Sequence, residues 1–421
     1  MKKMSICIGI TCLLCVMCIL PLQAKGTLLT PHTFGFGSEE DEGVSALIEE
    51  GNLQHLTFYD SHDYPISYWI HVPKDAQGHV IKDVPIVLYL HGYSNGGNDT
   101  TTAIRHHNAL LFQLIKDQDK KERQAIILVP QTPHAINPKD EEDWFKDQWV
   151  GMTPDKGEDK WTQWNFPSWD MDQIARVPNL RAVKELVLDT QKRYQSDVNR
   201  TYVTGISMGA YAIWDLISRD DSHLFAAAVP ICGVGDPSKA KNMKDIPIRM
   251  YHGGQDPQVT KEASDLLYEA LMDYGHVTYT VYEDEGHPSW NSAYSPVMDD
   301  DQNGKSNLED MIDWMFLQSL QGPLDGRVDQ APLKQVLDLA RLEKKEDYSH
   351  RSYRHLQQTI KEGEKLLQQA TTQEELSACI QDLHAQMIHK STQDNTFVYV
   401  LFVSGALVLV CLVFWKKKRS H

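Results

Sequence analysis

The chain has 421 residues, 41% of them hydrophobic and 24% charged, which suits a packed domain with additions and excludes wholesale disorder. A formal net charge of −17 excludes nucleic acid as a partner, because phosphate backbones call for a basic footprint. An acidic surface of this kind otherwise serves solubility.

In chain order, the first element is a leader. Lys2 and Lys3 precede an apolar run that ends at Leu22, and Ala24 offers a small residue for cleavage. Residues 1–24 therefore read as a secretory signal peptide, with an uncleaved anchor as the alternative. Leu22, two positions before Ala24, is larger than cleavage sites favour, so the cut position stays open.

Residues 25–320 read as one α/β domain. Short apolar or aromatic runs at 66–72, 86–90, 125–129, 201–204, 226–230, 248–252 and 277–282 predict strands. The run AIILV at 125–129 has the unbroken apolar character of a strand covered on both faces. Helical periodicity separates them, for example at 180–194 and 261–274. Such alternation predicts a mostly parallel sheet with helices on both faces. Residues 131–177 interrupt the rhythm with a long polar insertion carrying Trp144, Trp149, Trp161, Trp164 and Trp169. A connection of that length is usually functional or disordered, and its tryptophans argue against disorder. They either line a substrate pocket, together with Trp290, or pack the insertion onto the domain.

Residues 321–330 are rich in turn formers and read as a linker. Three one-sided apolar stripes follow: Leu333, Val336, Leu337 and Ala340; then Tyr353, Leu356, Ile360 and Leu367; then Leu376, Ile380, Leu383 and Met387. Thr372 and Glu375 form a capping box at the start of the third. The stripes predict a three-helix bundle over 331–390. The segments EDYSHRSYRHLQQTIKEGEKLL and TTQEELSACIQDLHAQM resemble a FIVAR module, a small helical unit of Gram-positive surface proteins. The resemblance implies a spacer or adhesion unit; a plain helical stalk would serve the same geometry.

Residues 397–415 are apolar throughout, and about 20 such residues span a bilayer as a helix. The basic tail at 416–421 should stay in the cytoplasm, leaving everything before the helix outside. The end also resembles a sortase sorting signal, but no LPxTG-like pentapeptide precedes it, so a retained single-pass anchor is expected. Four of the seven cysteines, Cys7, Cys12, Cys15 and Cys18, lie in the leader and Cys411 lies in the anchor. Cys232 and Cys379 remain, which make neither a disulfide framework nor a zinc site.

The chemistry centres on TGISMGAYAIW. Gly205-Ile206-Ser207-Met208-Gly209 fits G-x-S-x-G between a strand-like and a helix-like run, the placement of a nucleophile elbow. A serine hydroxyl is a poor nucleophile without a base. YHGGQDPQVT supplies Asp256 and YEDEGHPSW supplies His287, each just past a predicted strand end and in the order serine, acid, histidine. His287 would take the Ser207 proton, and Asp256 would orient the imidazole. Glu283, Asp284 and Glu285 compete for that role but share the loop of His287. LYLHGYSNGGND ends a strand in His91-Gly92, which makes the backbone N–H groups of Tyr93 and Met208 the candidate oxyanion donors.

LHGYSNGGND, VPQTP, YVTGISMGAYAIWDL, FAAAVPICG, YHGGQDPQV and EGHPSWNSAY together resemble the α/β-hydrolase superfamily. They are most similar to the bacterial esterase group of predicted peptidases and carboxylesterases, related to polyhydroxyalkanoate depolymerases and to feruloyl and acetyl-xylan esterases. The resemblance spans about 85–320 and implies Ser207, Asp256 and His287 as the triad. Ala210 departs from it by standing where a third glycine is common, and so does the Trp-rich insertion. The implied protein is a surface-anchored serine carboxylic ester hydrolase with its catalytic domain outside the cell. It would act on small esters or acylated glycans and need no metal or organic cofactor. A peptidase of the prolyl-oligopeptidase type and a non-catalytic adhesin are the alternatives; no propeller-length repeat precedes residue 85. Asp299, Asp301, Asn303, Gly304 and Asp310 fall at calcium-loop spacing, but Asp replaces the usual final Glu and Ser306 the usual apolar anchor, so an acidic surface loop is expected. Oligomeric state is left open.

Overall fold

A computed structural model describes residues 42–97, 101–105, 109–133, 149, 171–172, 176–219, 223–297 and 304–388. Its strands are β1 (Gln54–Tyr59), β2 (Pro65–His71), β3 (Ile86–Leu90), β4 (Ile126–Gln131), β5 (Thr201–Ile206), β6 (Ala227–Ile231), β7 (Ile248–Gly253) and β8 (Val277–Tyr282). They form one sheet in the order β1-β2-β4-β3-β5-β6-β7-β8. β1 and β2 run antiparallel, and β4 onward is parallel.

The principal helices are α1 (Glu42–Glu49), α2 (Ala109–Lys116), α3 (Pro178–Tyr194), α4 (Met208–Ser218), α5 (Lys261–Met272), α6 (Asn307–Leu317), α7 (Ala331–Arg341), α8 (His350–Gln369) and α9 (Gln373–Ile388). Strands β3, β4, β5 and β6 are buried at every position, as continuous apolar runs require when both faces are covered. Period-two alternation divides their side chains. Ile86, Leu88 and Leu90 join the core under α3, α4 and α5, whereas Val87 and Tyr89 join the core under α2 and α6. Each fully buried leucine or isoleucine contributes roughly 2 kcal/mol of burial.

The chain leaves β3 to build β4 on one side and returns to β5 on the other. That reversal opens a crevice at the carboxyl ends of β3 and β5, the usual ligand position in open α/β sheets. α4 is buried along its whole length. Its single acidic residue, Asp215, is matched by two arginines: Arg176 Nε donates to Oδ1 at 2.8 Å and Arg219 Nε to Oδ2 at 2.8 Å. A buried charge without such partners would cost several kcal/mol.

α7, α8 and α9 pack around Leu333, Val336, Leu337, Leu356, Ile360, Leu376, Ile380 and Leu383. Thr372 and Glu375 cap α9 reciprocally, with Thr372 N–H donating to the Glu375 carboxylate and Glu375 N–H to the Thr372 hydroxyl, both at 3.3 Å. The bundle does not hang from a free tether. Gln335 of α7 accepts the Tyr279 N–H at 2.9 Å and donates to the Tyr279 carbonyl at 2.5 Å, along the outer edge of β8. α9 lays Gln373, Ser377 and Gln381 on the carbonyls of Gly275, Tyr274 and Asp273 at 2.7, 3.1 and 2.7 Å, and His384 pairs with the Asp273 carboxylate. The expected linker is itself tied down, since Trp314 Nε1 donates to Asp329 at 2.9 Å and Val328 packs on the bundle core. The bundle is thus built onto the sheet rather than spaced from it.

No described helix is long and apolar enough to cross a membrane. The expected leader at 1–24 and the expected anchor and tail at 397–421 lie outside the described residues.

Candidate active site

Ser207 sits between the last residue of β5 and the first of α4 with φ 50° and ψ −120°, a conformation that L side chains adopt only under constraint. The constraint is visible. Ser207 N–H donates to the Ile231 carbonyl at 2.8 Å, and the Ser207 carbonyl accepts the N–H of Ala210 at 2.8 Å as α4 begins. Close approach explains the flanking glycines. A Cβ on Gly205 would lie 2.5 Å from the Leu90 carbonyl oxygen, and one on Gly209 would fall on that same oxygen. Ala210, where a third glycine is common, is accommodated from across the gap. Its Cβ would be 2.6 Å from a Cβ on Gly233, so the missing side chain at Gly233 makes the room.

Asp256 follows β7 and His287 follows β8, and the fold brings both to Ser207. His287 Nε2 is 2.8 Å from Ser207 Oγ, and His287 Nδ1 is 2.7 Å from Asp256 Oδ2. Asp256 Oδ1 accepts the N–H groups of Gln258 and Val259 at 2.8 and 3.0 Å. Burial pushes the Asp256 carboxyl pKa up, but hydrogen bonds from His252, His287 and Val259 outweigh it and hold the group well below the usual carboxylate range. Glu283 and Asp284 are exposed, and Glu285 accepts from Ser292, so none of the competing acids meets His287. Met208 N–H heads α4, and Tyr93 opens a short 3-10 turn after β3, so both backbone donors stand at the mouths of adjacent parallel strands.

The chain has the α/β-hydrolase fold. The model of the dienelactone hydrolase family matches residues 169–318. A crystal structure of a thermostable esterase is similar at 29% identity and a TM-score of 0.50, covering 64% of this chain and 64% of that one. The "Putative hydrolase MhqD" of Bacillus subtilis (strain 168) is 29% identical over 121 residues, which is 28% of this chain and 58% of the relative. The chain thus spans less than two thirds of the length of either protein.

Several supporting residues of this hydrolase fold escaped the sequence reading. His91, fully buried after β3, donates from Nδ1 to the Gly92 carbonyl at 2.7 Å and accepts the Thr132 N–H on Nε2 at 3.1 Å. These bonds hold the loop that carries Tyr93. Burial lowers the His91 pKa to about 4, against a smaller upward pull from the Gly92 carbonyl. Below about pH 6.5 the unfolded chain takes up a proton that the folded ring refuses until about pH 4. Stability should therefore fall as pH drops across that window, by on the order of 3 kcal/mol from this ring alone. Denaturant midpoints taken every half unit from pH 7 to 4 test this. The slope should flatten in His91→Gln, and an unchanged slope would remove the ring as its source.

Cys232, at φ 54°, places Sγ 2.8 Å from Ser289 Oγ. Its sulfur, an Asp256 oxygen and a His287 nitrogen lie within 4.8 Å of one another, a spacing that suits a metal. The donors do not. Burial pushes the Cys232 thiol up to about 12, while Asp256 and His287 already bond each other.

Two tryptophans depart from the pocket expectation. Trp149 is fully buried, donates Nε1–H to the His91 carbonyl at 3.0 Å and lies with its ring 4.9 Å from the His91 ring. It supports the loop after β3 from inside the core and has no exposed surface. Trp290 is also buried and meets the His287 ring edge-on at 5.1 Å, so it braces the histidine. Trp144, Trp161, Trp164 and Trp169 lie outside the described residues, as do Asp299, Asp301 and Asn303. The last member of the calcium pattern, Asp310, pairs with Arg249 at 2.6 Å on α6, whose N-terminus Ser306 and Glu309 cap. That carboxylate is committed to a cation within the protein rather than to a calcium loop.

Proposed function

We propose that this chain is a serine ester hydrolase working by acyl transfer. The observation that carries the reading is the continuous hydrogen-bonded line from Ser207 Oγ through His287 to Asp256. Ser207 Oγ attacks the ester carbonyl carbon as its proton passes to His287 Nε2, and the carbonyl oxygen becomes an oxyanion held by the N–H groups of Met208 and Tyr93. Collapse breaks the C–O bond, and His287 returns the proton to the departing alcohol. Water, deprotonated by the same nitrogen, then attacks the acyl-enzyme; collapse breaks the Ser207 Oγ–C bond, and His287 returns the proton to Oγ as the acid leaves. Asp256 balances the charge of the imidazolium in both halves. The match to the dienelactone hydrolase family and the likeness to an esterase support the reaction class.

The finer reading is a protein held at a Gram-positive-like cell surface, exported by residues 1–24 and retained by 397–415 with the basic tail inside. The FIVAR-like bundle lies between the catalytic body and that segment. Acylated glycans or other small esters are the proposed substrates, the former supported by Trp144, Trp161, Trp164 and Trp169 within 131–177.

The deciding experiment is labelling by a fluorophosphonate probe together with a panel of acetyl-xylan, feruloyl, short-chain lipid and peptide substrates. The expected result is covalent labelling of wild type, loss of labelling in Ser207→Ala, and preference for esters over peptides. An unlabelled wild type would favour a non-catalytic adhesin, and preferential peptide cleavage would favour a peptidase.

A further inference from the structure

Asp256 is shared between two imidazoles. His252, the fifth residue of β7, is fully buried, and its Nε2 lies 3.3 Å from Asp256 Oδ2 and 2.9 Å from the Val259 carbonyl oxygen. Both neighbours are acceptors, so Nε2 carries a proton. On the other side of the ring, Nδ1 meets Ser264 Oγ of α5 at 2.8 Å. A buried ring with every polar atom matched is costly to assemble where an apolar residue would pack, and its polarity calls for an explanation.

We propose that His252 is a positioning residue that divides the charge of the Asp256 carboxylate and aims its Oδ2 at His287. The inference rests on the triad reading above. Two backbone N–H groups hold Oδ1, the His287 N–H donates to Oδ2, and the His252 Nε2–H, shared with the Val259 carbonyl, approaches the same Oδ2 at 3.3 Å. Three hydrogen bonds and the longer His252 contact thus fix the orientation of the carboxylate. The N–H of His252 also draws part of the negative charge away from the Nδ1–H of His287. That keeps the imidazolium from being over-stabilised, so the ring gives its proton back to the leaving group. The rest of the surroundings does not substitute for it. Cys232 at the end of β6 and Tyr211 of α4 face Asp256, and burial keeps both protonated. Tyr279 of β8 lies beside Ser264 and is likewise held protonated by burial.

The test compares His252→Leu, which removes the donor, with His252→Gln, whose amide nitrogen reaches the position of Nε2. In His252→Leu, kcat should fall roughly tenfold at unchanged KM, and the acid limb of the pH–rate profile should move up by roughly half a unit. The low-field proton resonance of the His287–Asp256 bond should move further downfield, because Oδ2 then serves one donor. His252→Gln should recover most of each change. Should His252→Leu fail to fold, Ser264→Ala frees the ring and should move the resonance and the acid limb in the same direction, by less. Wild-type positions of the resonance and acid limb in these variants, with only thermal stability altered, would reduce His252 to a packing residue and overturn the proposal. The resonance needs no turnover, so a chain that hydrolyses no ester would defeat the ester reading while His252 is still judged by the spectrum.

Discussion

Asp256→Asn is expected to lower ester turnover by about 10⁴-fold while leaving the fold intact. The direction follows from this chain's own hydrogen bonds. Gln258 and Val259 each donate an N–H to Oδ1, so the asparagine must keep its oxygen there. Its NH₂ is then forced into the Oδ2 position, facing His287 Nδ1 and His252 Nε2. Two donors cannot share a line. His287 must shift its proton from Nδ1 to Nε2, and Nε2 is the atom that has to accept the proton of Ser207. The base is therefore present and correctly placed but already protonated. Steady-state kinetics on a short acyl ester, with circular dichroism as the control for folding, check this. A loss smaller than about tenfold would show that Asp256 does not set the tautomer of His287.

Gly209→Ala should be among the most damaging single methyl groups at the described glycines. The added Cβ would overlap the Leu90 carbonyl oxygen and come within 2.6 Å of the Leu90 carbonyl carbon and 2.8 Å of the His91 oxygen. All three atoms are backbone of β3 and the loop after it, and β3 is hydrogen-bonded on both sides within the sheet. Nothing there can rotate away. Alanine would gain up to about 1 kcal/mol in helix propensity, far less than the cost of parting β3 from α4. A loss of roughly 4 kcal/mol or more is expected, in the range reserved for disrupted cores. Denaturant unfolding at neutral pH measures it, and a wild-type midpoint would contradict the close crossing of β3 and α4.

What could be read before the fold was known follows from where the chemistry sits. Ser207, Asp256 and His287 each lie just past the end of a strand-like run, so strand pattern and motif pointed to the same positions, and the structure draws the three together. His252 and His91 were passed over because they lie within or at the end of such runs, where a histidine looks like one more buried residue. Their partners Ser264 and Thr132 sit on other elements, 12 and 41 residues further along the chain. For Trp149 the sequence left pocket lining and packing as alternatives, because an aromatic count carries no information about burial; the structure shows packing. β1 was missed because QHLTFY is a half-exposed edge strand whose polar positions dilute its alternation. α2, ALLFQLIK, is too short for its periodicity to separate it from a strand. The three amphipathic helices were plain from their stripes, but the glutamines that dock them on the sheet belong to faces that read as solvated.

That docking has a consequence for solubility. β8 is the last strand of the sheet, and an unpaired edge is a template on which a second chain can add a strand. The Gln335 side-chain amide both donates to and accepts from Tyr279, as the peptide group of a ninth strand would. One side chain of the helical bundle thus blocks the position where sheet-to-sheet growth would start. A chain cut at residue 320 would keep Ser207, Asp256 and His287 but expose that edge to strand addition by a second chain.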